Sequence, residues 1–456
     1  MNATARLRSG CIAAGLLGLL IVAPAGAQRI PQQLSVDDAI RIARENNPAY
    51  LKSLNDIDVE DMSVRNRWAA FLPTASANMN FSGNRTANLS YIDDSGRPVN
   101  EGVREEHTTS GASQGLNLSM MLFDGGQSVA NLRAARATRE ATSARLDLDR
   151  HLLETAVARE YFAVVKADRL IDLEQRLLAA RKDELERTQR LLGLASSKYV
   201  DVLSAQVNVA DAERSLDDAR AAAQKARLVL IERLGVSGEP TFALSTTTPE
   251  IFDPARINAE QLISRASTTS PLVRRAEADL FAQSRQVSAA KGNRLPVISA
   301  SANLGRSVNG EGLGYFAGKI NPDDNRSLGF SLGVQLPLFS RFNTSLTIAR
   351  ASAAEADARE EVRAQKLAVE RAVRSALIDL GNAYRGVQMA QRKVDLSREQ
   401  LAAAQEEYRL GALTFINLQQ IINSAAAAER QMLDAQFNFV NNLIMLEQQV
   451  GSKLER

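Results

Sequence analysis

Residues 157–192 read VAREYFAVVKADRLIDLEQRLLAARKDELERTQRLL, and Val157, Val164, Ile171, Leu178, Leu185 and Leu192 recur in it every seven positions. An apolar heptad sustained this long specifies a helix wound against neighbouring helices. Adding 216 to each number gives Val373, Leu380, Val387, Val394, Leu401 and Tyr408, so the pattern is written twice. Proline is absent from 126–192 and from 342–408, 67 residues each, which at roughly 1.5 Å per residue predicts two helices about 100 Å long. Return helices follow, with seams at Val202, Val209, Leu216, Ala223 and Leu230 and at Leu418, Ala425, Met432, Phe439 and Leu446. They close on Gly235 and Gly451.

The duplication extends upstream. Ser35 with Asp38 forms an N-cap pair, and 223 residues later Asn258 with Gln261 takes that place. Asn47-Pro48 matches Ser270-Pro271, and Leu72-Pro73 matches Leu295-Pro296, where helix gives way to strand. After Pro73 the period falls to two, with Ala75, Ala77, Met79 and Phe81 on one face. The copy has Ile298, Ala300, Ala302 and Leu304. A second strand alternates Leu116, Leu118, Met120 and Leu122, and its copy alternates Leu332, Val334, Leu336 and Leu338. The segments between, 83–112 and 306–326, are rich in Gly, Asn, Asp and Ser and read as exposed loops. The offset falls from 223 to 216 across them, so the second is 7 residues shorter.

The opening MNATARLRSG and the apolar run to Ala23 precede Ala25-Gly26-Ala27, which reads as a signal peptide over 1–27. Cys11 leaves with it, so disulfides and thiolate metal sites are excluded. No later run of 18 apolar residues exists to cross a membrane as a helix. The 55 basic and 53 acidic residues are dispersed along helices and give no reason to expect nucleic acid. The organisation predicted is a first repeat over 28–235, a connector over 236–257 and a second repeat over 258–456. Strands fall at 72–82, 113–123, 295–305 and 327–339, long helices at 125–192 and 341–408, and return helices at 201–234 and 417–450. The fold class is mainly α with a small β part, internally duplicated, with long antiparallel coiled-coil helices.

Strands polar on one face and apolar on the other suit a barrel wall between water and lipid. Unpaired strand edges are costly in lipid, and four strands are too few to close a barrel, for which about eight is the minimum. Several copies must therefore share one barrel.

With its paired helix-Pro-strand junctions, the Leu122-Phe123-Asp124-Gly125-Gly126 turn and the tips Gly193 to Leu203 and Gly411 to Leu418, the mature chain resembles the TolC family of outer-membrane efflux channels. The resemblance implies a homotrimer with a shared 12-stranded barrel in the outer membrane and a helical conduit through the periplasm. It also implies docking to a periplasmic adaptor and to an inner-membrane RND, ABC or MFS transporter. Outer-membrane lipid would meet Leu116, Leu118, Met120, Leu122, Leu332, Val334, Leu336 and Leu338.

By the same resemblance, Asp201 and Tyr408 take the aspartate and tyrosine places of a closing network. Leu413 replaces its arginine, and Asn417 and Gln420 replace the aspartates of an acidic pore ring. A neutral mouth predicts a looser gate with weak cation selectivity. Gly193, Ser196, Ser197, Val202, Leu203, Gly411, Thr414 and Leu418 become adaptor-docking tips, with the first tip expected to be 2 residues longer (201 − 193 against 417 − 411). Asp201 is equally an ordinary N-cap, Tyr408 a packing residue, and the two glycines C-caps.

No nucleophile motif, phosphate loop or zinc spacing occurs. His107 and His151 stand far apart, and the acidic pairs Asp93-Asp94 and Asp323-Asp324 read as solvated loops. No enzyme and no cofactor are indicated. The preferred function is passive exit of small toxic molecules through a tripartite pump. The alternatives are the channel of a type I protein secretion system and a soluble periplasmic coiled-coil scaffold.

Overall fold

The computed structural model describes residues 33–88, 91–92, 95, 97–99, 105–194, 198–238, 242–245, 247–311 and 325–454. The 1–27 segment, Ser196, Ser197 and both acidic pairs lie outside them. In chain order the first half runs β1 (Gln33–Leu34), α1 (Val36–Asn46), α2 (Pro48–Ala69), β2 (Thr74–Asn88), β3 (Tyr91–Ile92), β4 (Pro98–Val99), β5 (Glu105–Asp124), α3 (Gln127–Gly193) and α4 (Tyr199–Leu234). The second runs β6 (Ala243–Leu244), a 3-10 turn (Pro254–Arg256), α5 (Ala259–Thr269), α6 (Pro271–Gly292), β7 (Val297–Glu311), β8 (Asn325–Gln335), α7 (Asn343–Arg409) and α8 (Phe415–Val450).

Every helix of the first half recurs at the same length in the second: 11 and 22 residues for the opening pair, 67 for the long helix, 36 for the return. Caps set the starts. Ser35 Oγ accepts the Asp38 N–H at 3.1 Å and donates to its carboxylate at 2.7 Å. Asn47 Oδ1 accepts from Ala49 and Tyr50, and its amide donates to the Arg233 carbonyl, tying the α1–α2 corner to the end of α4. Asn258 repeats the cap on Glu260 and Gln261. Ser270, which stands where the first half has the capping Asn47, makes no side-chain cap bond. There Pro271 occupies a position whose N–H needs no partner. Gly235 ends α4 with φ 71°, and an added Cβ would lie 2.4 Å from the Asn46 carbonyl oxygen, so only glycine fits.

The heptad seams bury two equivalent cores. In the first, Val157, Tyr161 and Val164 of α3 meet Leu230 and Leu234 of α4 and Ile42 of α1. The Tyr161 hydroxyl lies 2.9 Å from the Leu34 carbonyl and 2.8 Å from that of Ser245, joining α3 to β1 and to the residue that follows β6 in the small parallel β1–β6 pair. In the second, Val373, Leu380 and Val387 of α7 meet Phe439, Leu443 and Leu446 of α8 and Leu262 of α5.

The sheet is antiparallel in the order β2-β5-β7-β8, with β2 and β8 as edges. Its strands reach well into both segments read as loops: β2 continues to Asn88, β5 begins at Glu105, β7 continues to Glu311 and β8 begins at Asn325. The far end of β8 is shorter than expected. It stops at Gln335, because Pro337 has no N–H for the ladder, so Leu336 and Leu338 lie beyond the strand, both exposed.

At the sheet-to-helix turn, Gly125 and Gly126 have φ of 70° and 78°. A Cβ on Gly125 would lie 2.5 Å from the Gly292 carbonyl oxygen. Their copies 216 residues on are Arg341 and Phe342, which hold φ of 49° and 61° despite carrying side chains.

Candidate functional site

The sheet presents one apolar face. Leu116 pairs with Leu304, Leu118 with Ala302 and Met120 with Ala300, while Leu332 and Val334 stand opposite Ala300 and Ile298. Leu116, Leu118, Leu332 and Val334 are exposed to the surroundings of the single chain. A bulge between Met121 and Phe123 shifts the register, so Phe123 pairs with Ile298 and takes the apolar-face place expected of Leu122, which becomes the extra residue. Among the described residues no helix is long and apolar enough to cross a membrane.

The duplication identifies surfaces left open. Phe162 of α3 and Ile444 of α8 are buried in one core, at 9% and 6% exposure. Their copies, Ile378 of α7 and Leu228 of α4, are 63% and 51% exposed. Likewise α6 packs on both α3 and α7 and buries Val273, Ala276 and Ala282, whereas α2 packs on α3 and buries no residue. Inside the chain the second half caps the first. The matching face of the second half, and that of α2, are left uncovered in the single chain.

At the tip both turns span five residues, 194–198 and 410–414. The expected difference of 2 residues is wrong because Gly193 corresponds to Arg409 and not to Gly411. Gly193 is the last helical residue of α3, whereas Gly411 lies past α7 with φ 75°. Asp201 accepts the Lys198 N–H at 3.1 Å, the capping role of an early-turn acid. The Tyr408 ring leans on Phe415 with centroids 6.1 Å apart. Thr414 Oγ1 caps α8 by accepting the Asn417 N–H at 3.4 Å. Leu413 is half-buried, and Asn417 and Gln420 are exposed and uncharged. Val202 and Leu418, expected on the docking surface, are each 5% exposed and sit in the hairpin interior. The exposed apolar side chains there are Leu203 together with Leu194, Tyr199, Val200, Leu410 and Ile416.

Two partly buried polar clusters, with Glu174, Arg181 and Gln419 at their centres, join the halves near this end. Arg430 of α8 clasps Glu174 of α3 with two bonds of 2.5 and 2.7 Å, and the Glu174 side chain is 4% exposed. Two turns further along α3, Arg181 donates to Gln419 at 2.7 Å, to Glu184 at 3.2 Å and to Asn423, while Asn208 of α4 donates to Gln419 at 2.8 Å and the Gln419 amide donates to Glu184. Burial pushes the Glu184 carboxyl above its ordinary value, against the pull of Arg181 and the bond from Gln419. The sequence reading missed both clusters. Their signal is the seven-residue spacing of Glu174, Arg181 and Thr188, a polar line beside the apolar seam. His151 is a structural contact, with Nε2 3.1 Å from the Gln448 carbonyl. Among the described residues no group of His, Cys, Asp and Glu could hold a metal ion.

The model of the family described as outer membrane efflux protein matches residues 39–236 and 262–452. The chain belongs to this family. Among outer membrane efflux proteins, it is 24% identical to the outer membrane efflux protein BepC of Brucella suis over 406 residues, 87% of this chain and 81% of BepC. It is 22% identical to the outer membrane protein TolC of Vibrio cholerae over 425 residues, 91% of this chain and 90% of TolC. Among solved structures, CusC superposes with a TM-score of 0.75 at 19% identity, covering 91% of this chain and 92% of that one. The fold is therefore the TolC-like one, and the protein is an outer membrane efflux channel whose helical part lies in the periplasm. The family is one of channels rather than enzymes.

Proposed function

We propose that three copies close into one conduit and that this conduit is the passive outer-membrane exit of a tripartite pump for small toxic molecules. The observation that carries the reading is the half-empty duplication. A neighbour's α4 and α2 laid on α7 would repeat the contacts that α8 and α6 already make with α3, burying Ile378 against Leu228 of the next copy. The same operation pairs the two open strand edges. Transposing Leu118↔Ala302 by the two offsets, 118 + 216 and 302 − 223, sets Val334 opposite Met79 of the next copy. A cyclic assembly repeating one contact leaves no strand edge in lipid. Three copies of the four-strand sheet give a barrel wider than the eight-stranded size whose interior side chains fill.

At the mouth, Asp201, Tyr408, Leu413, Asn417 and Gln420 form a gate without an acidic ring, and the exposed apolar tips receive a periplasmic adaptor fed by an inner-membrane transporter. Energy comes from that transporter. The test combines the mass of the detergent-extracted protein with the susceptibility of a strain lacking it. A trimer whose loss raises drug or dye accumulation supports the reading. A trimer whose loss blocks release of a large polypeptide assigns the channel to protein secretion, and a soluble monomer overturns the conduit itself.

A further inference from the structure

One place in the first half is hollow where the second half is filled. On the helical body, 35 residues along α3 from Ala158 to Gly193 and so about 50 Å from the tip, a cavity of about 360 Å³ lies between α1, α3, α8 and the connector residues 247–250. Its floor is apolar, with Ile40, Ala158, Phe162 and Ile444. Its rim is acidic, with the carboxylates of Asp37, Glu154, Glu250 and Glu447 against Lys453 and His151.

The duplication shows what such a rim holds. Adding 216 turns Ala158 into Arg374 and Glu154 into Glu370, and adding 223 turns Asp37 into Glu260. The Arg374 guanidinium donates to Glu370 at 3.1 Å and to Glu260 at 3.3 Å, bridging the copies of Glu154 and Asp37. The first half keeps both acids and has only a methyl group in place of the bridging arginine. Other groups cover those acids in part. Glu154 Oε1 meets Arg150 at 3.1 Å and Arg44 at 3.9 Å, neither of which lines the cavity. Glu447 accepts the Leu454 N–H at 3.1 Å. Asp37 meets the Lys453 amine at 3.4 Å, with the two side chains 84% and 81% exposed. Among the described residues Glu250 has no ion-pair partner.

We propose that this cavity binds a small organic cation with one ammonium, amidinium or guanidinium head and an apolar body. The head takes the place that Arg374 fills in the second half, between Asp37 and Glu154, and the body lies over Phe162 and Ile444. A planar, forked head matches carboxylate geometry. The Phe162 ring adds attraction for a cation, and the floor takes the body out of water. Lys453 yields to the ligand, because an exposed ion pair holds its partners weakly. The site is remote from the sheet and the tips, so its occupancy is independent of what the conduit carries.

Benzamidine is the probe, with benzamide as its uncharged match and benzoate as its anionic one, each titrated by calorimetry into the full-length protein in detergent. Saturable binding of one benzamidine per chain is expected, with the two controls at least about tenfold weaker, the worth of one charge-assisted bond. Glu154→Gln should weaken benzamidine by roughly the same factor. Ala158→Arg gives the first half the arginine of the second and should abolish binding. No saturable binding to the wild type, or equal binding by wild type and a folded Ala158→Arg protein, overturns the site. Ala158→Cys decides the matter should Ala158→Arg fail to fold, since it introduces the sole cysteine beyond Cys11. A cationic thiosulfonate should modify it roughly tenfold faster than an anionic one of the same size, and benzamidine should slow the reaction. Equal rates, or no protection by benzamidine, would overturn the proposal.

Discussion

Arg430 and Arg398 both pair with glutamates, but their surroundings separate them. Arg430→Ala would strip the Glu174 carboxylate of both its bonds, a loss of about 1.5–3 kcal/mol because the Arg430 side chain is itself 40% exposed and water can take its place, whereas the exposed Arg398–Glu429 pair, 3.1 Å apart, is worth at most about 1 kcal/mol. The heat needed to dissociate the assembly in detergent should fall sharply for Arg430→Ala and hardly at all for Arg398→Ala. Glu184 responds to pH. A carboxyl raised by burial holds its proton more tightly in the folded chain than in the unfolded one, so its stabilising contribution is full below the ordinary value of 4.5 and is lost as pH rises through the raised value. Glu184→Gln should flatten this dependence, and equal slopes for wild type and variant from pH 4.5 upward would refute the assignment. At the mouth, Asn417→Asp with Gln420→Asp should increase cation preference in single-channel recordings and create block by trivalent cations. A wild-type channel already strongly cation-selective would contradict the neutral gate.

Among the elements, the open strand edges permit a prediction of register. Met79→Cys with Val334→Cys should cross-link into a covalent ring on oxidation, while Met79→Cys with Phe330→Cys, displaced by four residues, should not. The helices were legible in the sequence because heptads and proline-free runs mark them, and they stand within one or two residues of expectation. The strand extensions were not. Asn84, Arg85, Thr86 and Asn88 offer no apolar alternate positions, so period two vanishes while the ladder with β5 continues. The tip lengths were misread because two glycines were matched by type, although the chain registers Gly193 with Arg409. The Arg181 cluster was hidden for another reason: a polar residue on one helix reads as surface until the partner helix is known.

For the whole molecule, the exposed copies of buried residues are the decisive surface. Ile378→Asp should leave the helical content of the chain intact, since its side chain is 63% exposed there, yet prevent the trimer from forming, because a lone carboxylate would be buried at the seam. Ile378→Leu should assemble normally. Light scattering in detergent distinguishes the two outcomes, and a trimeric Ile378→Asp protein would dismiss the neighbour derived from the duplication.

The two halves have drifted far apart in composition, so that Gly125-Gly126 became Arg341-Phe342 and Phe162 became Ile378, yet none of the four pairs of helices differs by a residue. Removing one residue from α3 would turn everything below the cut by about 100° and raise its tip by about 1.5 Å relative to α7, detaching every downstream seam at once. Mutation in this gene is therefore free to respell the coiled coils but not to change their count, and an in-frame deletion in either long helix should behave as a null allele where most substitutions pass unnoticed.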